Sequence, residues 1–316
     1  MNTKSFVKKL NQITKALLAM TPAQREVVNQ SIQSSQAEIN VTGLFQPMFD
    51  SLSQCPHCHS SHFKKWGKAG ETQRYYCKGC HKTFNYKTKT PLAKLHKCHK
   101  WEKYAHCMER KMTLREAAAE CNINLKTAFL WRHRFLTAQS GKYPDKLSGI
   151  IEVDEFFLAY SEKGAKKLPS GRKARKRGGN ASKKTKDERV PVLLSIDRSK
   201  HMIDGVLSAD TTAEIETHLE PHITKDSVLC SDGAWAYVNV AKHTKCDHKR
   251  LISSVTRVLD NIYHIQTVNG AIAHFKGWVD VKMRGVATKY LPHYLAWFRE
   301  NSSNFNYQQI LQSAYG

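Results

Sequence analysis

The chain has 316 residues, of which 41% are hydrophobic and 24% are charged, a composition typical of a globular protein with a buried core. Its 50 lysines and arginines outnumber 27 aspartates and glutamates, and the formal charge of +23 indicates a polyanionic partner. Nucleic acid is the commonest such partner, and an anionic membrane surface is the alternative. No apolar run is long enough to cross a bilayer and no secretory signal is visible, so we expect a cytoplasmic protein without membrane insertion.

Residues 1–53 are predicted to form a helical arm. Apolar side chains recur at helical spacing in its first part, among them Leu10 and Ile13. A second helix is predicted to begin at Thr21, which can cap it while Gln24 closes a capping box. The pattern carries no catalytic chemistry and is typical of an accessory or multimerisation element.

Two Cys-x2-Cys pairs, Cys55 with Cys58 and Cys77 with Cys80, are separated by eighteen residues. This spacing fits four thiolates around one tetrahedral structural zinc ion, so residues 54–90 are predicted to form a zinc ribbon. The total of nine cysteines is odd, which also favours metal ligands and free thiols over disulfides. Lysines and arginines surround the ligands, so we expect the ribbon to contact a nucleic-acid backbone.

Residues 91–140 are predicted to contain a helix-turn-helix. Thr113 can cap a short first helix with Glu116 three residues later, and residues 125–136 form the second helix. The polar face of that second helix offers five side chains to a DNA groove: Lys126, Thr127, Arg132, His133 and Arg134. The alternative is an amphipathic helix pair that packs on the next domain.

The stretch Ile150–Phe157 predicts a strand with acids on one face. Ile151, Val153 and Phe157 share one side, whereas Glu152 and Asp154 share the other and Glu155 points away from them. Carboxylates on an otherwise buried strand cost roughly several kcal/mol unless they are paired or bind metal. The pattern alone is equally compatible with a functional site and with an edge strand that has a solvated face.

A strongly basic insertion follows at residues 161–189. It contains twelve lysines and arginines against three acids and has almost no apolar residue, so it cannot bury itself. Beside an acidic strand, such a segment is predicted to hold DNA over the site; a solvated loop is the alternative.

The remainder of the chain predicts an α/β layer arrangement. Apolar runs at 190–197 and 201–208 indicate a hairpin, Thr211 and Glu214 suggest a capping box that opens a helix, and a strand at 227–231 leads into Asp232. A sheet with helices packed on it follows from this order of elements.

Asp154, Asp232 and a polar residue on a later helix form a set that could hold two divalent cations. Hard cations prefer oxygen ligands, and a pair of them can support phosphodiester chemistry. On that later helix, Asn269 and Lys276 are seven residues apart and therefore share one face.

The run from Ile150 to Asn301 resembles the catalytic domain of DDE-type bacterial insertion-sequence transposases. The similarity is carried by these segments: Val153–Glu155, Ser231–Gly233 with Trp235 and Tyr237, His264–Asn269 with Lys276, and Gly285–Leu291. It is greatest to the insertion-sequence fifteen-ninety-five family, whose members also carry an N-terminal zinc ribbon. The resemblance implies a ribonuclease-H-like catalytic domain at residues 149–301, followed by a tail at 302–316.

The same resemblance implies the site and its partners. Asp154, Asp232 and Asn269 are expected to hold two Mg²⁺ (or Mn²⁺) ions per active site, and Lys276 to contact a phosphate. Asn269 stands where the family usually has a carboxylate, although a sub-branch has Asn there, followed by the Lys. An amide brings no charge, so the second cation should be held more weakly, and Glu152 or Asp260 could restore the missing charge.

The predicted function is a DNA transposase. Ribbon and helix-turn-helix are expected to bind the terminal inverted repeats of an insertion sequence, and the catalytic domain to cleave and transfer strands. Its partners are double-stranded DNA, at the element's ends and at the target, and further copies of the chain in a nucleoid-associated synaptic complex. The alternatives are a catalytically silent DNA-binding regulator derived from a transposase and a ribonuclease-H-like nuclease that cuts without joining.

Overall fold

The computed structural model describes residues 3–50, 53–70, 72–144, 146–165, 189–252, 255–302 and 306–315. The chain divides into two compact units, one of Met1–Met108 with Tyr315–Gly316 and the other of Glu109–Ala314. The division lies inside the region 91–140 that the sequence suggested as one piece, and the domain boundaries given above stay a prediction. Most of the basic insertion, residues 166–188, lies outside the described residues.

The first unit contains helices and a small antiparallel sheet in the order β1-β2-β3. Its elements are α1 (Thr3–Ala19), α2 (Pro22–Asp50), β1 (Phe63–Ala69), β2 (Thr72–Cys77), β3 (Thr83–Phe84) and α3 (Trp101–Glu109), which ends at the boundary. The predicted capping box of α2 is confirmed, because the Thr21 amide donates to Gln24 Oε1 (2.8 Å) and the Gln24 amide donates to Thr21 Oγ1 (3.3 Å).

The second unit is built around a five-stranded mixed sheet in the order β6-β5-β4-β7-β8. The strands are β4 (Ile150–Ala159), β5 (Arg189–Asp197), β6 (Met202–Val206), β7 (Val228–Ser231) and β8 (Asp247–Arg250). β4, β5 and β6 pair antiparallel, whereas β7 runs parallel to β4 and β8 runs parallel to β7. The predicted hairpin is confirmed as β5–β6, but β8 was not predicted, because its residues are all charged or polar and show no apolar alternation.

Helices surround this sheet, which confirms the α/β class. They are α4 (Leu114–Glu120), α5 (Leu125–Thr137), α6 (Thr212–Leu219), α7 (Trp235–Thr244), α8 (Gln266–Gly277), α9 (Leu291–Ser302) and α10 (Tyr307–Ser313). Ile151 and Val153 of β4 join one hydrophobic core with α6 and α7. Phe156 instead meets Phe275 of α8, with ring centroids 5.9 Å apart, so helices cover the two faces of the strand as its alternation requires.

Two capping boxes were predicted in this unit, and one is wrong. The box of α4 is confirmed by the Thr113 amide, which donates to Glu116 Oε2 (2.7 Å), and by the return bond from the Glu116 amide to Thr113 Oγ1 (3.3 Å). At α6 the Thr211 side chain makes no capping bond. The Glu214 carboxylate instead accepts from the amide of Ser208, which follows the β5–β6 hairpin (2.7 Å), so it is not available to the Thr211 amide.

The predicted helix pair is present as α4 and α5, but part of its expected DNA face is buried. Arg132 is 0% exposed, lies over the Trp297 ring of α9 and donates to the Met112 carbonyl oxygen (2.8 Å). His133 is also buried, and its Nδ1 lies 2.9 Å from His293 Nδ1. These two side chains pack within the unit and cannot enter a groove of DNA, whereas Lys126 and Arg134 are exposed and Thr127 is half-buried.

Among the described residues, no helix combines the length and the apolar character that crossing a bilayer requires.

Candidate active site and zinc centre

The four ribbon cysteines come together as a metal site. Their sulfur atoms all lie within 4.8 Å of one another, with 3.8 Å between Cys55 and Cys80 and 3.6 Å between Cys58 and Cys77. A tetrahedron of sulfurs at the usual Zn–S distance has edges of about 3.8 Å. The four residues therefore fit a Zn²⁺ ion.

Asp154 and Asp232 are brought together by two neighbouring parallel strands. Glu152 of β4 is in register with Cys230 of β7, and two further residues along each strand lead to the two aspartates. Burial raises the pKa of Asp154 although the Glu155 amide donates to its carboxylate (2.9 Å), and the nearby Asp232 raises it further while Lys276 lowers it. The structure thus places Asp232 and Lys276 each within electrostatic range of Asp154.

The turn that carries Asp232 has a backbone that requires glycine. Gly233 has a φ of +89°, and an added Cβ atom would lie 2.7 Å from Nε of Arg250. Its amide donates to Ser231 Oγ (3.1 Å), and the Ala234 amide donates to Asp232 Oδ1 (3.0 Å). These contacts hold the exposed Asp232 carboxylate at the carboxyl end of β7.

Asn269 and Lys276 both lie on α8, as predicted. Asn269 is exposed in the first turn of the helix. Lys276 lies two turns later, with its Nζ 5.1 Å from the ring centroid of Phe156 on β4. The strand and the helix therefore carry the predicted residues on neighbouring elements.

Glu152 is not a free acid beside Asp154, which corrects the expectation that it could restore charge at the site. The carboxylate is 1% exposed, and its Oε2 accepts from the amides of Thr267 (2.7 Å) and Val268 (3.0 Å) at the start of α8. Its Oε1 lies 2.7 Å from Arg198 Nη1 and 3.3 Å from His264 Nδ1. Glu152 fixes the N-terminus of the helix that carries Asn269.

Glu155 lies within electrostatic range of both aspartates. Burial, to which the charges of Asp154 and Asp232 add, raises the pKa of this carboxyl to about 7, although the buried Tyr237 hydroxyl beside it lowers it. Glu155 points away from Glu152 and Asp154, as the alternation of β4 predicted, because the Tyr237 hydroxyl beside it belongs to the core that contains Ile151 and Val153. Asp260, the other residue considered for restoring charge, lies in an exposed turn within electrostatic range of Lys249.

Sequence comparison relates this part of the chain to transposases. Residues 146–301 match the ISXO2-like transposase domain, which confirms the resemblance. A protein of transposable element ISH50 from Halobacterium salinarum is 27% identical over 256 residues, covering 78% of this chain and 83% of the relative.

Two solved structures show weak overall similarity. One is a simian T-cell lymphotropic virus intasome in complex with PP2A regulatory subunit B56 gamma, with a TM-score of 0.30 and 9% identity over 61% of this chain and 66% of that chain, just under two thirds of it. The other is a pre-cleavage Mos1 transpososome, with a TM-score of 0.24 and 8% identity over 68% of this chain and 79% of that chain. Both scores are too low to assign a fold.

Proposed function

We propose that the chain is a metal-dependent DNA transposase whose active site is formed by Asp154, Asp232 and Asn269. The observation that carries this proposal is the pair of aspartates that two adjacent parallel strands bring together, where burial and the charge of Asp232 raise the pKa of Asp154. Two carboxylates and an amide supply oxygen ligands of the kind that Mg²⁺ and Mn²⁺ prefer, and a bound cation offsets the repulsion between the acids.

Each side chain has a definite part in this proposal. Asp154 and Asp232 bind the cations through charged oxygens, and Asn269 binds through a neutral one and therefore more weakly. Two bound Mg²⁺ or Mn²⁺ ions supply activation of the attacking oxygen and stabilisation of the leaving oxygen. Lys276, whose ammonium lies over Phe156, contacts the phosphate next to the cut. Glu152 sets the position of Asn269 by holding the start of α8.

The rest of the chain is proposed to bring DNA to this site. Three antiparallel strands followed by two parallel ones support a ribonuclease-H-like catalytic domain at residues 149–301. The zinc-loaded ribbon and the α4–α5 pair bind the inverted ends of the element, and several copies of the chain form a synaptic complex with the ends and target DNA. Such a protein works in the cytoplasm on the nucleoid.

A strand-transfer assay tests the function. The substrate is a duplex carrying the DNA that flanks the gene, supplied as paired ends with a supercoiled target in Mg²⁺. Wild type is expected to release 3′ ends and to join them, and Asp154→Ala or Asp232→Ala is expected to lower both rates on the order of a hundredfold or more. Full activity of either variant would overturn the assignment.

The same assay separates two other functions. Asn269 brings no charge, which favours a silent DNA-binding regulator; that function predicts binding of the ends by wild type without cutting. A ribonuclease-H-like nuclease predicts cutting without joining. Joined product from wild type rules out both.

A further inference from the structure

A groove of about 1,220 Å³ in the second unit separates the α4–α5 helix pair from the segment that follows α8. One wall is made by the start of α4 and by α5, and the other by residues 281–290. We call it the composite groove and define it by five exposed cations that line it: Arg115 and Lys126 on the helix-pair wall, and Lys282, Arg284 and Lys289 on the opposite wall.

The composite groove carries positive charge that the unit does not neutralise. The acid that lines it is Glu116, and its carboxylate is used in the capping box of α4. Within the described part of the chain, none of the five cations forms an ion pair. The charge of Lys282 also lowers the pKa of Lys111, after burial, so cations repel one another at this surface. Such crowding is relieved by an external polyanion.

Two other cations line the groove but are already used inside the protein. Arg132 is buried against Trp297. Lys163, just after β4, donates to the carbonyl oxygens of Met283 (3.1 Å), Arg284 (2.8 Å) and Gly285 (2.6 Å). Lys163 thus ties the end of β4 to the wall at residues 281–290. Of the five exposed cations, Lys289 has its Nζ 4.9 Å from the ring centroid of Tyr290, and all five remain open to a ligand.

The two walls are also fastened to each other, so the groove exists before a ligand arrives. Phe129 of α5 packs edge-on against Tyr290, with ring centroids 5.3 Å apart, and His133 stacks on the same Tyr290 at 4.0 Å. The Thr288 amide donates to the Ser161 carbonyl oxygen (2.8 Å), which holds the second wall to the end of β4. A preformed site binds its ligand without losing the conformational entropy of ordering its own walls.

We propose that the composite groove binds the phosphate backbone of double-stranded DNA, so that the helix pair and the catalytic domain hold one duplex together. The inference rests on the proposed function and adds to it the surface that delivers the DNA. Cations on both walls are suited to bind the phosphates of a duplex. A single strand would instead be held largely by its bases stacking on free aromatic rings, and in this groove Phe129 and Tyr290 already pack on each other. Phosphate contacts position DNA without reading its sequence.

The test measures the salt dependence of DNA binding. The probe is a fluorescein-labelled duplex of random sequence, followed by anisotropy without added Mg²⁺ so that nothing is cut, on zinc-loaded full-length protein. Lys126→Ala removes a cation from one wall and Lys289→Ala one from the other. Each is expected to lower the slope of log K against log salt by about 0.9, and the double variant by about 1.8.

The matched control is Lys225→Ala with Lys245→Ala. These exposed lysines precede β7 and β8, at the opposite edge of the sheet from Asp232, and their removal is expected to leave the slope unchanged. Thermal melting of every variant checks that it is folded. An unchanged slope in Lys289→Ala, an equal change in the control, or tighter binding of a single strand of the same length would overturn the proposal.

The outcome does not depend on whether the chain cuts DNA. If wild type shows no cleavage in the strand-transfer assay, the proposed function fails while the slopes still test the groove. If wild type cuts and joins but the groove variants bind like wild type, the groove proposal alone fails.

Discussion

At the scale of single residues, two glutamates of β4 have opposite surroundings. Glu152 accepts from two amides of α8 and lies beside Arg198 and His264, so its charge is compensated on every side. Glu155 lies within electrostatic range of Asp154 and Asp232, and burial raises its pKa to about 7. The negative charge is therefore stabilised at Glu152 and opposed at Glu155.

Glu152→Ala is expected to lower the free energy of unfolding by about 3 kcal/mol. The change leaves two buried amides and the Arg198 guanidinium without their acceptor, and unpaired buried groups of this kind are costly. Urea denaturation at neutral pH measures the effect. Hydrogen exchange at the start of α8 is expected to rise together with the loss of stability, because the anchor of that helix is gone.

Glu155→Gln is the matched control. Because folding raises the pKa of Glu155, this carboxyl stabilises the fold below its ordinary pKa, and that contribution is lost as pH rises through about 7. At alkaline pH the folded protein contains a buried carboxylate, so its replacement by a neutral amide does not lower the free energy of unfolding. The expected stability at about pH 8 equals or exceeds that of wild type. A loss in Glu155→Gln as large as in Glu152→Ala would contradict the different roles given to the two acids.

The parts of the candidate site that depend on short sequence segments could be predicted. Asp154 lies in β4 and Asp232 directly follows β7, and the resemblance to transposases relates them to Asn269 and Lys276. The role of Glu152 was not predictable, because its partners on α8 are 115 and 116 residues away in the chain. Strand alternation gave the face that Glu152 occupies but not what lies opposite it.

At the scale of elements, the contact between α5 and α9 decides how the helix pair is used. The capping box at Thr113 identified the pair from sequence, and the structure confirms it. The helical pattern could not show which polar residues are buried, because His133 and Arg132 find partners on α9. The exposed Lys126 remains available to DNA.

The His133–His293 contact predicts an acid-sensitive interface. Burial, with His293 and Arg132, lowers the pKa of His133 to about 3, and burial lowers that of His293. The unfolded chain then binds protons that the folded chain does not, so stability is full above the ordinary histidine pKa and falls as pH drops below it. We expect a loss of roughly 1–2 kcal/mol between about pH 7 and pH 5, measured by urea denaturation.

His133→Gln separates this contact from general acid sensitivity. Glutamine keeps a polar group toward His293 but does not titrate, so the variant is expected to lose less stability between neutral and acidic pH than wild type does. Equal pH dependence in the two proteins would show that the buried pair does not cause the loss.

At the scale of the whole molecule, the two units carry different chemistry. Sulfur ligands suited to zinc lie in the first unit, and the oxygen ligands that we propose for magnesium lie in the second. Sequence predicted both sets, because ligand type and spacing are local. It did not predict β8 or the composite groove, because β8 has no apolar pattern and the groove joins segments far apart in the chain.

The central claim is that Asp154, Asp232 and Asn269 form a binding site for divalent cations, and Mn²⁺ binding tests it most directly. Mn²⁺ is titrated into zinc-loaded protein and followed by electron paramagnetic resonance, since Mn²⁺ prefers oxygen ligands to the ribbon thiolates. Asp154→Ala is expected to weaken binding by about tenfold or more, and Asn269→Asp to tighten it by adding a charge. Equal Mn²⁺ affinity in wild type and both variants would contradict the account.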